Sequence, residues 1–129
     1  MSTELWLLTA SGLLVVAQLA LQSFTFKAQV GNAYTVGPRD EAIAPRGPAG
    51  RAERAFRNLL ETLPVFAIAV IVIELAHKGD HWTVAGAHLY FWARIAFVGA
   101  YLWGVPWVRT LIWNASMIGL AIMYWRILA

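Results

Sequence analysis

The chain has 129 residues, of which 60% are hydrophobic and 13% charged, against roughly 25% charged in a typical soluble domain. A soluble fold of this size has too little interior for so much apolar surface, so lipid is the expected solvent. Cysteine is absent, which excludes disulfides, thiolate metal sites and a cysteine nucleophile together. The net charge of +3 reads as the cytoplasmic Lys and Arg excess of a membrane protein, not as a nucleic-acid footprint.

A spanning helix needs about 20 mostly apolar residues. The first candidate covers residues 5–26, carries no charge, and has Gln18 and Gln22 as its most polar members. Glu4 at its start and the length of the apolar run argue for a retained helix over a cleaved signal peptide. Residues 27–55 follow as a long connection rich in Gly, Pro and charge. A second helix is expected over 56–76, ending in the polar turn His77-Lys78-Gly79-Asp80-His81. A third is expected over 84–105 and a fourth over 108–128, with Gly104 and Pro106 breaking the chain between them. Trp6, Trp82, Trp103, Trp107 and Trp125 fall near the predicted helix ends, where indole meets both lipid and headgroup. The expectation is an all-α integral membrane protein: one domain, residues 1–129, folded as a four-transmembrane-helix bundle.

The basic residues set an orientation. Lys27, Arg39, Arg46, Arg51, Arg54, Arg57 and Arg109 lie on one side, and only Lys78 and Arg126 on the other. Seven against two places the 27–55 loop in the cytoplasm and both termini outside. Small residues at four-residue spacing allow close helix packing, and the third helix offers Ala96, Ala100 and Gly104, the fourth Ala115 and Gly119.

Charge inside the predicted membrane is expensive, roughly 2.5–3.5 kcal/mol per ion on insertion scales. Arg54, Asn58 and Glu61 recur at i, i+4, i+7 and share a helical face. Arg94 falls mid-helix, with Tyr90 four residues before it and Tyr101 seven after. Glu61 and Arg94 are candidates for a neutralising pair within the bundle. With Arg109 they offer cationic, amide and carboxylate partners to a small zwitterion. His77 and His81 lie in the polar turn and His88 stands alone, so no metal site is expected.

The run from Arg51 to Pro64, RAERAFRNLLETLP, resembles the signature of the MAPEG family, the membrane-associated proteins of eicosanoid and glutathione metabolism. Ala93-Arg94-Ile95-Ala96-Phe97, Tyr101, Gly104-Val105-Pro106 and Arg109 resemble its second signature. The resemblance covers nearly the whole chain, and a bacterial-type member of the inner (plasma) membrane is expected. It implies a homotrimer that takes glutathione as co-substrate between subunits. Arg54 and Asn58 would hold its backbone and carboxylates and Glu61 its amine; Arg94 would support the network and Tyr101 line the cleft. Arg109 would activate the thiol, with Tyr101 beside it. A free thiol titrates near 8.5 and neighbouring positive charge favours its thiolate. The implied reactions are conjugation to a lipophilic electrophile and reduction of a lipid hydroperoxide, both reached through membrane lipid. Phe97 stands where several eukaryotic members carry tyrosine. The alternative is a MAPEG-like protein that binds a lipid or small anion without glutathione chemistry. A small four-helix exporter would need an acidic residue in the first helix, and residues 5–26 contain none.

Overall fold

A computed structural model describes all residues, Met1–Ala129. Four long helices and one short one make up the chain: α1 (Thr3–Val30), α2 (Asn32–Val36), α3 (Pro48–Leu75), α4 (His81–Trp103) and α5 (Pro106–Leu128). Three of them, α1, α3 and α5, are long and apolar enough to cross a membrane. Helix α4 has 23 residues but dilutes its apolar run with His81, His88 and Arg94.

Each boundary differs from the sequence expectation for a local reason. Helix α1 runs on to Val30, with Lys27 in its last turn, where a cation meets the negative end of the helix dipole. It stops at Gly31, whose φ of 87° is open only to glycine at low cost. Helix α3 begins about two turns ahead of the expected Phe56, with Pro48 in its first turn, a position that asks nothing of the missing N–H. Hydropathy hides this extension because Arg51, Glu53 and Arg54 interrupt the run, yet Ala49, Ala52 and Ala55 on its other side are buried. Residues 27–55 are therefore not one loop: α2 and both flanking helix ends occupy part of them.

Helix α4 starts at His81 on a reciprocal cap. The Asp80 carboxylate accepts from the Trp82 and Thr83 N–H groups, both at 2.9 Å, and the Thr83 hydroxyl accepts from the Asp80 N–H at 2.8 Å. At its far end Gly104 takes φ 74°, which turns the chain within two residues, and Pro106 opens α5.

Only 27 of 129 residues are buried within the chain, so most apolar side chains keep some surface outside the bundle. Ten of the buried residues form one core, among them Phe66, Val70 and Ile73 of α3, Tyr90 and Phe91 of α4, and Met123 of α5. Phe66 stacks on Tyr90 with centroids 4.3 Å apart. Helices α4 and α5 pack as a tight antiparallel hairpin, and α1 packs along α3. The hairpin is closest at Gly86 and Gly119. A Cβ on either would come within 2.7 Å of the other's carbonyl oxygen. Gly119 was one of the small residues expected on the fourth helix, but its partner is Gly86, two turns and more away from the stripe expected on the third. Of that stripe Ala100 is buried, whereas Ala96 and Gly104 are exposed.

The end bearing the α3–α4 turn is tied across all four long helices. Ser2, the N-cap of α1, donates to Glu74 of α3. Thr83 of α4 donates to the Glu4 carboxylate at 2.6 Å, and Arg126 of α5 donates from Nε to Asp80 at 2.7 Å. Lys78 caps α5 by donating to the Ile127 carbonyl at 2.6 Å. These ties leave the functional cleft to the opposite end.

Candidate functional site

The cleft opens beside the α4–α5 turn. Asn58 of α3, Phe97 and Tyr101 of α4, and Arg109, Thr110 and Trp113 of α5 line a volume of about 340 Å³. Phe97 and Tyr101 are one helical turn apart and present adjacent rings, 5.4 Å between centroids. Arg109 and Trp113 are likewise one turn apart, so the first turns of α5 supply the facing wall.

Arginines converge on those rings. The Arg54 Nε donates to the Tyr101 hydroxyl at 3.1 Å, and its guanidinium carbon lies 5.8 Å from the ring centroid. The Arg109 guanidinium sits 4.8 Å from the same ring. Arg94 stacks 4.4 Å from the Phe97 centroid and is only 1% exposed. Aromatic faces hold cations in this way without neutralising them. The chain's two ion pairs are elsewhere, Arg57 with Glu53 at 2.7 Å and Arg126 with Asp80. Three guanidinium groups thus share a site with no carboxylate within ion-pair distance.

The six residues expected at the site divide. Arg54, Asn58, Tyr101 and Arg109 come together around the cleft, and Arg94 lies behind Phe97. Glu61 does not join them: it is exposed on α3 and is not part of the lining. The Glu61–Arg94 pair weighed from sequence does not form, since all three Arg94 nitrogens lack a hydrogen-bond partner in the protein. Sharing a helical face did not suffice because Arg54 reaches round to Tyr101 on a long side chain and Glu61 has no such reach. Tyr90 pairs away from the cleft, 2.9 Å from the Thr62 hydroxyl.

Thr110 and Trp113 were not singled out from the sequence. The one available signal was for Trp113, four residues after Arg109 and so beside it on a helix; Thr110, one residue on, had none. The Thr110 hydroxyl donates to the Pro106 carbonyl at 3.0 Å, which leaves its lone pairs free to accept from a ligand. A second groove, apolar and about 620 Å³, runs between α4 and α5 at this end, lined by Ala96, Gly99, Trp103, Val105, Val108 and Ile112 among others.

The family model for the MAPEG family matches residues 3–129. The chain belongs to the MAPEG family. No curated protein matches the chain. With its apolar helices, membership makes this MAPEG protein an integral, multi-pass membrane protein, of a family concerned with glutathione and eicosanoid metabolism. Chemically, the cleft of this MAPEG protein gathers positive charge. Of the three guanidinium groups only Arg94 is buried, so its charge is the one least screened by solvent.

Proposed function

We propose that this MAPEG protein is a membrane-bound glutathione transferase with accompanying peroxidase capacity. The observation that carries the reading is the convergence of Arg54, Arg94 and Arg109 on Tyr101 and Phe97 without a carboxylate partner. Glutathione brings two carboxylates and a thiol that becomes anionic on reaction, and so matches three unpaired cations. In this reading α4 is the fourth spanning helix, and three copies assemble with the cleft between neighbours. The long first connection then faces the cytoplasm, and the membrane is the inner membrane of a bacterium. Glu61, on the outer face of α3, meets the glutathione amine at the subunit boundary.

Arg54 and Asn58 anchor the carboxylate and peptide groups, and Arg94 adds positive potential from behind. Arg109 lies beside the sulfur and favours the thiolate over the thiol. Tyr101, held by Arg54, orients towards the same sulfur. The thiolate then attacks an electrophilic carbon: a C–S bond forms and the leaving group departs with its electron pair. With a hydroperoxide the thiolate attacks the terminal oxygen, the O–O bond breaks to give an alcohol, and a second glutathione completes the disulfide with release of water. The apolar α4–α5 groove supports a lipid route for such substrates.

Glutathione titration by calorimetry tests the reading, with Arg54→Ala and Glu61→Ala alongside. Parent binding at millimolar glutathione or below, lost with Arg54→Ala, is the expected result. No parent binding at millimolar concentration ends the transferase reading. The exposed position of Glu61 favours one alternative, a protein that takes a lipid or small anion in the same cleft without glutathione chemistry, since the cleft itself offers an amine no carboxylate.

A further inference from the structure

Three side chains, two of them buried and Asn58 half-buried, keep buried polar atoms without a partner in the protein: the Gln18 Oε1, the Asn58 Oδ1, and all three nitrogens of Arg94. They come from three different helices, and the helix register brings them to one depth. Helix α1 runs antiparallel to α3, tied at one end by Ser2 to Glu74. At the other end Gln29 bonds to the Ala44 carbonyl and the Arg46 N–H, just ahead of α3. Counting inward from both ties sets Gln18 level with Asn58. Helices α1 and α4 run parallel, tied by Glu4 to Thr83. Equal steps along each bring Gln18 level with Phe97, whose ring carries the Arg94 guanidinium at 4.4 Å. Gln18 also continues the buried stripe of α1, Glu4, Leu7 and Ser11, so it faces α3 and α4 rather than lipid.

The chemistry of the three is complementary: two carbonyl acceptors and a guanidinium with up to five N–H donors. Buried groups of this kind are almost always satisfied, and inside a membrane no bulk water reaches them from the lipid side. Gln18 is 4% and Arg94 1% exposed, so the chain itself covers them and a neighbouring copy cannot supply the partners. Water can: it accepts from Arg94 and donates to both amides, which meets the requirement of two to four polar partners for a buried water. A route exists because Asn58 and Phe97 belong both to this layer and to the lining of the cleft.

We propose that Gln18, Asn58 and Arg94 bound a hydrated compartment at the middle of the bundle, continuous with the cleft, open to water and to small anions, with Gln18 as its far wall. Gln18 is thereby a residue of the site on a helix that contributes nothing to the visible lining. The inference holds whichever anion occupies the cleft.

The absence of cysteine makes a direct test available in the full chain in liposomes. Gln18→Cys is treated with sulfonatoethyl methanethiosulfonate, whose sulfur the thiolate attacks to form a mixed disulfide and release methanesulfinate. Two controls bracket it. Ser11→Cys lies on the same buried stripe, where Ser11 itself is satisfied by the Leu7 carbonyl at 2.7 Å, and Leu19→Cys lies on the exposed face. Gln18→Cys is expected to react at least about ten-fold faster than either, as access and thiolate formation dictate. It should also prefer this anionic reagent to a cationic one of similar size, each rate scaled to that with free cysteine. A rate no faster than that of Ser11→Cys overturns the hydrated compartment, and an equal scaled rate for the cationic reagent overturns the anion selectivity. Should Gln18→Cys not fold, Gln18→Leu decides by thermal melting. Loss of a water-bonded acceptor lowers the melting temperature, whereas a value equal to or above the parent's means that the carbonyl was dry and the proposal fails.

Discussion

The two ends of the bundle use similar residues to opposite purposes. At the α3–α4 turn every acid has a donor: Asp80 has Arg126, Glu4 has Thr83, and Glu74 has Ser2. At the α4–α5 turn Arg54, Arg94 and Arg109 rest on aromatic rings and have no acid at all. A polar cluster that is internally complete locks helices together. One whose cations lack acids keeps them free for other contacts. Charge content does not separate the two ends; completeness of pairing does.

The sharpest way to break this contrast is at the cleft end. Arg109→Ala is expected to cut kcat/KM for glutathione conjugation to a chloronitrobenzene by about 100-fold or more, as for loss of one preorganised charge-stabilising group. Its melting temperature should stay near the parent's, because no acid is left stranded. The ultraviolet thiolate signal of bound glutathione should fall more than its affinity; equal losses would make Arg109 a binding group only.

A smaller effect is expected at the locked end, and on stability instead of activity. Thr83→Val keeps the shape but removes both the donor to Glu4 and half of the α4 cap. The buried carboxylate left behind should cost about 1–3 kcal/mol, read as a lower melting temperature with glutathione affinity unchanged. A matching loss of affinity would show that the two ends are not separable.

The smallest effect sharpens the contrast by pH. The Thr83 N–H bonded to Asp80, with Arg126 beside it, holds the Asp80 carboxyl below its usual 3.8. A carboxylate depressed in the folded state adds stability that is fully present above its unfolded pKa and is lost as pH falls through the folded one. Melting temperature should therefore decline as pH drops below about 4, and Asp80→Asn should flatten part of that decline. An undiminished acid slope in Asp80→Asn would place the responsible acid elsewhere.

Much of this organisation was legible in the residues. Gly104-Val105-Pro106 reads as a stop followed by a start because a left-handed glycine and an N1 proline are each suited to one helix end. Arg54, Asn58, Tyr101 and Arg109 stood out because polar side chains in apolar helices need a reason. The early start of α3 was hidden because hydropathy averages over a helix whose one side is charged and whose other side is alanine. The Glu61–Arg94 relation could not be read because spacing fixes direction from one helix axis and says nothing of rotation against another. Gln18 looked like one of two mild interruptions in α1. Its burial between the helices distinguishes it from Gln22, which is not buried.

The hairpin of α4 and α5 is joined by backbone contact at Gly86 and Gly119 and again, near the cleft, by the covalent turn at Gly104 and Val105. Two fixed points define a line, so these helices cannot spread like jaws around a ligand. The cleft's remaining wall is α3, held near its rim by Arg51 to the Leu102 carbonyl at 3.0 Å and by Arg54 to Tyr101. The aperture is thus bounded by a hairpin joined at two points and by α3, clasped to it through two arginines, one of which bonds to the very ring that lines the cleft.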